Sequence, residues 1–390
     1  MEEVSAYIAR NWSSTVRYAT EDQGTLIGLP RPYSTPSTSG VFQELYYWVT
    51  YFINVGLLAS GQTEQAANNI ENMFYLIDRF GWMPNGNRTF YLCRSQPPFL
   101  SQMVRELFAH TQDQAWLRAG AYPALQQEYW FWHTHRTLDN GLSRYGGEDP
   151  DDTTLRELGK SLCKRFGLAS PESPERPYPY GRAMLALAES GWNCTSRFGT
   201  EAQLYAPVDL NALLYRMERN MEWFAGVLGL DAERSQWRNR KEFRKARMDE
   251  LLWEPERGCY CDYRFSDGHR SALFSAAAFY PLFAGMCSPE RAAKSYPCFP
   301  CWKCHMESPA VKKQAGFSAC NGTIRMAGLA YSISSLWLCA GMGTNGMRRG
   351  SRKNTSRSLT AFSKGAVSSG RSMTCAPAIF RCPRNTRPRQ

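Results

Sequence analysis

The sequence predicts an all-α fold, a helical toroid or bundle, and three observations carry that prediction. Apolar residues recur at helical spacing in stretch after stretch. Gly, Ser and Pro close those stretches at helix-length intervals. Strand signals are few. Short turns between successive helices make neighbours antiparallel.

The elements follow in order. Glu44 to Leu58 has helical periodicity and stops at Ser60-Gly61. Thr63 offers an N-cap for the next helix, with Glu64 placed in its first turn to suit the helix dipole. That helix carries Ile70, Met73, Phe74 and Ile77 on one face and ends at Gly81. Phe99 to Thr111 is helical once Pro97-Pro98 is passed. Pro123 to Trp132 is another helix, because proline is tolerated in a first turn. Pro207-Val208-Asp209-Leu210 opens a long helix to Leu228, with Asp209 as a cap, and Asp231 caps one running to Leu251–Leu252. Phe274 to Phe283 is a further apolar helix, and Gly258–Tyr263 is a short strand candidate.

The chain has 390 residues and a formal charge of +11, an average of two unlike parts. Residues 295–390 hold 15 Lys and Arg against one acid, Glu307, and seven of the 13 cysteines. The first 294 residues hold 31 bases against 34 acids, the balance of an ordinary globular body. Its cysteines, Cys93, Cys163, Cys194, Cys259, Cys261 and Cys287, show no framework spacing and read as free thiols. The first twelve residues, MEEVSAYIARNW, carry no basic n-region and no apolar h-region, so a cytoplasmic location is expected. No apolar run is long enough to span a membrane.

Chemistry concentrates between Phe42 and Phe99. FQELYYWVTYF is followed, one helix later, by PNGNRTFYLCRSQPPF. Tyr46, Tyr47, Trp48 and Tyr51 accompany the planar amides and guanidinium of Asn85, Asn87, Gln96 and Arg94. A sugar suits that mixture, with apolar C–H faces for rings and hydroxyls for bidentate hydrogen bonds. These runs resemble the signature segments of the α,α-trehalases, glycoside hydrolase family 37. The family pattern is Pro-Gly-Gly-Arg-Phe-x-Glu-x-Tyr-x-Trp-Asp-x-Tyr, followed by PNGNR and SRSQPP. The resemblance implies an (α/α)6 barrel, here incomplete because the chain starts close to the LPRPY segment that the family reaches only after about a hundred residues. It also implies inverting hydrolysis of α,α-trehalose to two glucoses, with no metal or organic cofactor.

Inverting glycosidases place a protonated acid and a base about 6.5–9.5 Å apart around the glycosidic oxygen, leaving room for the attacking water. The family's general acid is the aspartate of ESGWD-x-SSRW. This chain reads ESGWNCTSRF, so Asn193 occupies the acid position, with Gly191 and Trp192 retained. An amide has no titratable proton to give. As a plain structural residue Asn193 would be a helix C-cap. Val41 and Val49 stand where the family has a substrate-binding Arg and Asp. By resemblance Asn85, Arg94, Ser95 and Gln96 bind the glucose ring, and Trp48 serves either as a sugar platform or as core. Glu172, in Ser170-Pro171-Glu172-Ser173, matches the family's RPES segment with its Arg lost, and reads as a hydroxyl ligand or a solvated loop residue.

The last part of the chain suggests three literal readings. Cys301-Trp-Lys-Cys304-His305 fits a haem-attachment pattern; Cys298, Cys301, Cys304 and His305 fit a zinc cluster; the Arg-rich end fits a nucleic-acid arm. A frame change outweighs all three. Back-translating Cys320 to Tyr331 and reading one base earlier permits QWDYPNGWACL, the second trehalase signature. The same shift turns Gly370–Cys375 into EKYDV, the segment whose glutamate is the family's general base. The expected organisation is therefore a partial catalytic domain at 1–294 and an out-of-frame, disordered basic segment at 295–390. The expected function is a trehalase-family hydrolase whose catalysis is lost, or a non-catalytic sugar-binding pseudoenzyme. The expected partner is a small disaccharide, with no nucleic acid, membrane or metal.

Overall fold

The computed structural model describes residues 2–148, 150–169, 177–193 and 196–295, all within one compact unit, Glu2–Gly341. They are mostly helical. After α1 (Glu2–Asn11) come α2 (Tyr47–Ala59), α3 (Thr63–Phe80) and α4 (Leu100–Thr111). α5 (Gln114–Trp116) runs through a π-helical turn at Leu117–Ala121 into α6 (Tyr122–Arg136). Two antiparallel hairpins follow, α7 (Asp152–Phe166) with α8 (Pro177–Glu189) and α9 (Val208–Val227) with α10 (Asp231–Leu251). α11 (Tyr280–Phe283) and α12 (Pro289–Ser295) close the described part.

The strands are two-residue pairings at helix ends. β1 (Val16–Arg17) pairs with β2 (Tyr33–Ser34), and β4 (Trp253–Glu254) with β5 (Cys259–Tyr260). β3 (Tyr205–Ala206), β6 (Tyr263–Arg264) and β7 (His269–Arg270) form a small antiparallel sheet. The strand expected over 258–263 is thus divided between β5 and β6.

The differences from the sequence reading have physical causes. α2 starts at Tyr47, not Glu44, because residues 44–46 are held extended. Leu45 N–H donates to Asn87 Oδ1 at 2.8 Å, Tyr46 bridges to Gly86, and Arg88 pairs with Glu44 at 2.8 Å. Thr63 and Asp231 are first helical residues, and neither α3 nor α10 has a side-chain cap. Asp209 likewise caps nothing; its carboxylate is spent on buried partners described below. The helix expected over 274–283 breaks in two. Pro281 has no N–H and would clash with a carbonyl one turn back. A 3-10 turn therefore ends at Phe279, and α11 begins afresh with the proline in its first turn. Gly81 closes α3 at φ +88, as expected.

One core runs through the helices, with Tyr47, Tyr51, Trp132, Tyr145 and Trp237 among its fully buried side chains. Tyr51 stacks on Phe99 at 4.5 Å between ring centroids. Glu128 of α6 is buried here and accepts the Tyr47 hydroxyl, while its Oε2 has no partner. Burial pushes its carboxyl up to about 8, against the favourable Tyr47 bond. Burial also raises Glu106 to about 7. A carboxyl raised in the fold binds its proton more tightly than the unfolded chain does. Its stabilisation is complete below the ordinary value of 4.5 and is lost as pH rises through the folded value. Stability should therefore fall as pH rises above about 4.5, by up to about 1.4 kcal/mol per pH unit for each group, up to about pH 8 for Glu128 and about pH 7 for Glu106. Glu128→Gln should flatten that slope in denaturant titrations across the range; an unchanged slope would remove Glu128 as its source.

Candidate functional site

The signature segments meet through both backbone and side-chain hydrogen bonds. In PNGNR, Asn85 N–H donates to Arg94 C=O at 2.9 Å and Asn85 C=O accepts Tyr47 N–H at 3.0 Å. Asn87 is fully buried and joins three segments, donating from Nδ2 to Ile27 C=O at 3.0 Å and accepting from Leu45. Asn87 is therefore structural. The Gln96 side chain accepts Trp48 N–H at 3.3 Å. Trp48 is 3% exposed, packed on Phe52, Phe99 and Trp192.

Gly191 lies against the Trp48 indole. A side-chain carbon added there would stand 2.8 Å from Trp48 Cε2, and the residue sits at φ +72. Only glycine satisfies both conditions without strain. It makes the left-handed turn after α8, so the C-cap role considered for Asn193 belongs to Gly191. Asn193 itself is exposed at φ +55, a region that asparagine and aspartate tolerate.

The cluster is fastened by a residue the sequence reading passed over. Glu189, at the end of α8, is 0% exposed. It accepts Ser95 N–H at 3.0 Å, Gly146 N–H at 2.7 Å, and a bidentate pair from Arg136 with both distances 2.9 Å. Burial alone would raise its carboxyl; the Arg136 charge and these donors outweigh burial and hold it below the usual range. Arg136 also pairs with Glu148 at 3.0 Å, whose N–H donates to Cys93 C=O at 2.9 Å. The Arg94-Ser95-Gln96 loop is thus locked to α6, α8 and the 146–148 turn. Ser95 is itself fully buried, its hydroxyl donating to Met83 C=O at 2.7 Å, so it positions the loop.

Arg94 is held differently. Its guanidinium lies over the Tyr91 ring at 5.1 Å and donates from Nη1 to Cys93 Sγ at 3.2 Å. Its Nε is buried with no hydrogen-bond partner, and among the described residues it has no ion pair. Tyr91 continues a run of edge-to-face rings through Tyr46 to Phe42. This is a half-buried planar donor framed by aromatic faces.

A second buried network supports the far side. Arg197 bonds Asp209 at 2.7 Å and Asp262 at 2.7 and 2.6 Å. Asp209 also accepts Trp192 Nε1–H at 2.7 Å and the Tyr145 hydroxyl at 3.2 Å. Asp262 accepts Val208 N–H at 2.9 Å. Trp192, directly before Asn193, is fixed by this network.

The remaining expected site residues are dispersed. Val41 is 72% exposed, its carbonyl accepting the Ser37 hydroxyl at 2.7 Å. Val49 packs partly buried against the core beside Trp48. Glu172 lies outside the described residues, as do the Cys301–His305 pattern, the basic end and the segments expected to be out of frame. No described helix is long and apolar enough to cross a membrane.

Residues 1–297 match the trehalase family. The chain is 34% identical over 319 residues to a periplasmic trehalase of Pseudomonas aeruginosa, covering 75% of this chain and 56% of that protein. It is 37% identical over 294 residues to a periplasmic trehalase of Xanthomonas oryzae pv. oryzae, covering 70% and 50%. Among solved structures it resembles the neutral trehalase Nth1 of Saccharomyces cerevisiae, with a TM-score of 0.59, 26% identity, and coverage of 75% of this chain and 60% of that one. The chain spans about half the length of the curated relatives it matches. The helical architecture is of the (α/α)6 glycosidase type. The expected cytoplasmic location does not stand, because these bacterial relatives are named periplasmic trehalases. On the family match and the helical fold together, the chain belongs to the trehalase family.

Proposed function

We propose that this chain carries the glucose-binding half of a trehalase site from which both catalytic groups have been lost. The parent reaction is inverting hydrolysis of α,α-trehalose to two glucoses. Asn193 stands at the acid position and has no proton to transfer. The base glutamate is encoded near Arg371 in another frame. Residues 1–294 form the partial catalytic domain and 295–390 an out-of-frame extension; the family match ending at residue 297 supports that division. Trp48 and Gln96 brace the site, Ser95 and Gly191 shape it, and Asn85 and Glu172 complete the set of sugar ligands. Val41 and Val49 mark two substrate contacts that are gone.

The observation that carries this reading is Arg94, set on a loop locked by Glu189 with its buried Nε still without an acceptor. A sugar hydroxyl accepting from the outer edge of that guanidinium would meet a charge that no carboxylate among the described residues pairs. A hydrogen bond to a charged donor contributes about 1.5–3 kcal/mol, or roughly 10- to 150-fold in affinity. Calorimetric titration of the full chain with trehalose and glucose should give measurable binding that Arg94→Met weakens by at least about tenfold. Binding of either sugar that is indifferent to Arg94 would overturn the assignment, as would no binding at all.

A further inference from the structure

Away from the sugar-binding segments, α4, α9 and α10 border an open surface cavity of about 220 Å³ lined by Arg105, Arg219, Glu222, Trp223, Arg234 and Lys241. Four of the six are bases. The single acid is already satisfied: Glu222 accepts from Arg238 at 2.8 Å and from Lys241 at 2.7 Å, and these cations hold its carboxyl below the usual range against burial. Arg105, Arg219 and Arg234 make no ion pair among the described residues. Three positive charges therefore border one small space whose single carboxylate is already paired with Lys241 and Arg238.

Arg105 and Arg219 are held by neighbouring groups, and Arg234 lies close to Gly226. Arg105 lies over the Trp223 ring at 4.4 Å and donates to Asn220 Oδ1 at 3.4 Å. Arg219 donates to Ala284 C=O at 3.2 Å, and a side-chain carbon at Gly285 would come within 2.2 Å of its Nη1. A side-chain carbon at Gly226 would stand 3.3 Å from Arg234 Nε. Two glycines thus leave the room that two of the guanidiniums occupy. Burial and the nearby Arg219 charge lower Arg105 from its ordinary value, the direction expected where like charges crowd.

We propose that this cavity binds a small phosphate-bearing ligand. Planar guanidinium forks arriving from three helices suit a tetrahedral oxyanion, which offers several acceptors and about two negative charges. The volume lies below the roughly 300–1,000 Å³ of sites for larger organic ligands, so the space suits a phosphoryl group carrying at most a small substituent. The elements involved differ from those holding Arg94, so this site and the sugar site should respond to different substitutions.

The test is calorimetric titration of the full chain in fixed chloride, with inorganic phosphate, glucose 6-phosphate and glucose as separate probes. Arg234→Met is the main variant, because Arg234 is exposed and its loss leaves the core intact; Arg105→Met is the second. Phosphate binding should weaken tenfold or more in each, while trehalose binding and the melting temperature of Arg234→Met stay unchanged. Tighter binding of glucose 6-phosphate than of phosphate would support the site and identify a sugar phosphate as its ligand. Equal binding of the two would support it with the free ion as ligand. Phosphate binding no stronger than that of chloride, or equal in wild type and both variants, would reduce the cavity to a solvated basic face and overturn the proposal.

Discussion

Replacing Glu189 with alanine should destabilise the protein by about 3–5 kcal/mol, among the largest effects of any single substitution in the described residues. The carboxylate is fully buried and is the shared acceptor for Ser95 N–H, Gly146 N–H and the Arg136 guanidinium. Removing it leaves a buried cation with only the partly exposed Glu148 as counter-charge. Two buried backbone donors lose their acceptor at the same time. Replacing Arg136 and Glu189 together with methionine should cost less than the sum of the single changes, because no unpaired charge is then stranded. The melting temperature of Glu189→Ala should fall by on the order of 10 °C. Sugar binding should weaken in parallel, since the loop carrying Arg94 loses its anchor. A melting temperature within a degree or two of wild type would show that the loop is held by something else.

Glu189 also marks the boundary of what the sequence reveals. Contiguous motifs were legible. PNGNR, Arg94-Ser95-Gln96 and Gly191-Trp192 are runs whose residue types and order survive in one line of text, and the fold brings them together. The helices were legible where Gly or Pro punctuates an apolar period, as at Gly81 and Pro97-Pro98. α1 has a weaker signal and α12 is only seven residues long, while α7, capped by Asp151 and closed by Gly167 at φ +65, was passed over despite clear signals. Polar networks were not legible. Glu189 meets Ser95 across 94 positions, and Arg197 meets Asp262 across 65. Each is a common residue type, and nothing local distinguishes a buried clamp from a solvated charge. Glu189 opens the ESGWN run, where a carboxylate two residues before a left-handed glycine was the available hint. Asp209 shows the opposite error. Its place in a first turn suggests a cap, while tertiary partners claim both oxygens.

The second large effect concerns turnover. Losing one general acid or base typically costs roughly 10²–10⁴-fold, and on the proposed reading this chain lacks both along with two substrate contacts. Acid and base act as a unit, so their losses do not simply multiply, and the expectation is no detectable hydrolysis. Restoring the reading frame should return the base and the QWDYPNGW segment, yet leave no proton donor. Asn193→Asp then supplies one. The backbone at 193 is already at φ +55, which aspartate accepts as asparagine does, and the side chain is exposed, so the substitution should not disturb Trp192 or the turn at Gly191. Val41 and Val49 should still limit the recovered rate.

Glucose release from trehalose by three proteins tests this account most directly: the chain as it stands, the frame-restored chain, and the frame-restored chain with Asn193→Asp. The expected result is no release by the first, little or none by the second, and clear release by the third. Turnover by the unmodified chain would contradict it, because proton donor and base would then have to be residues other than those assigned here.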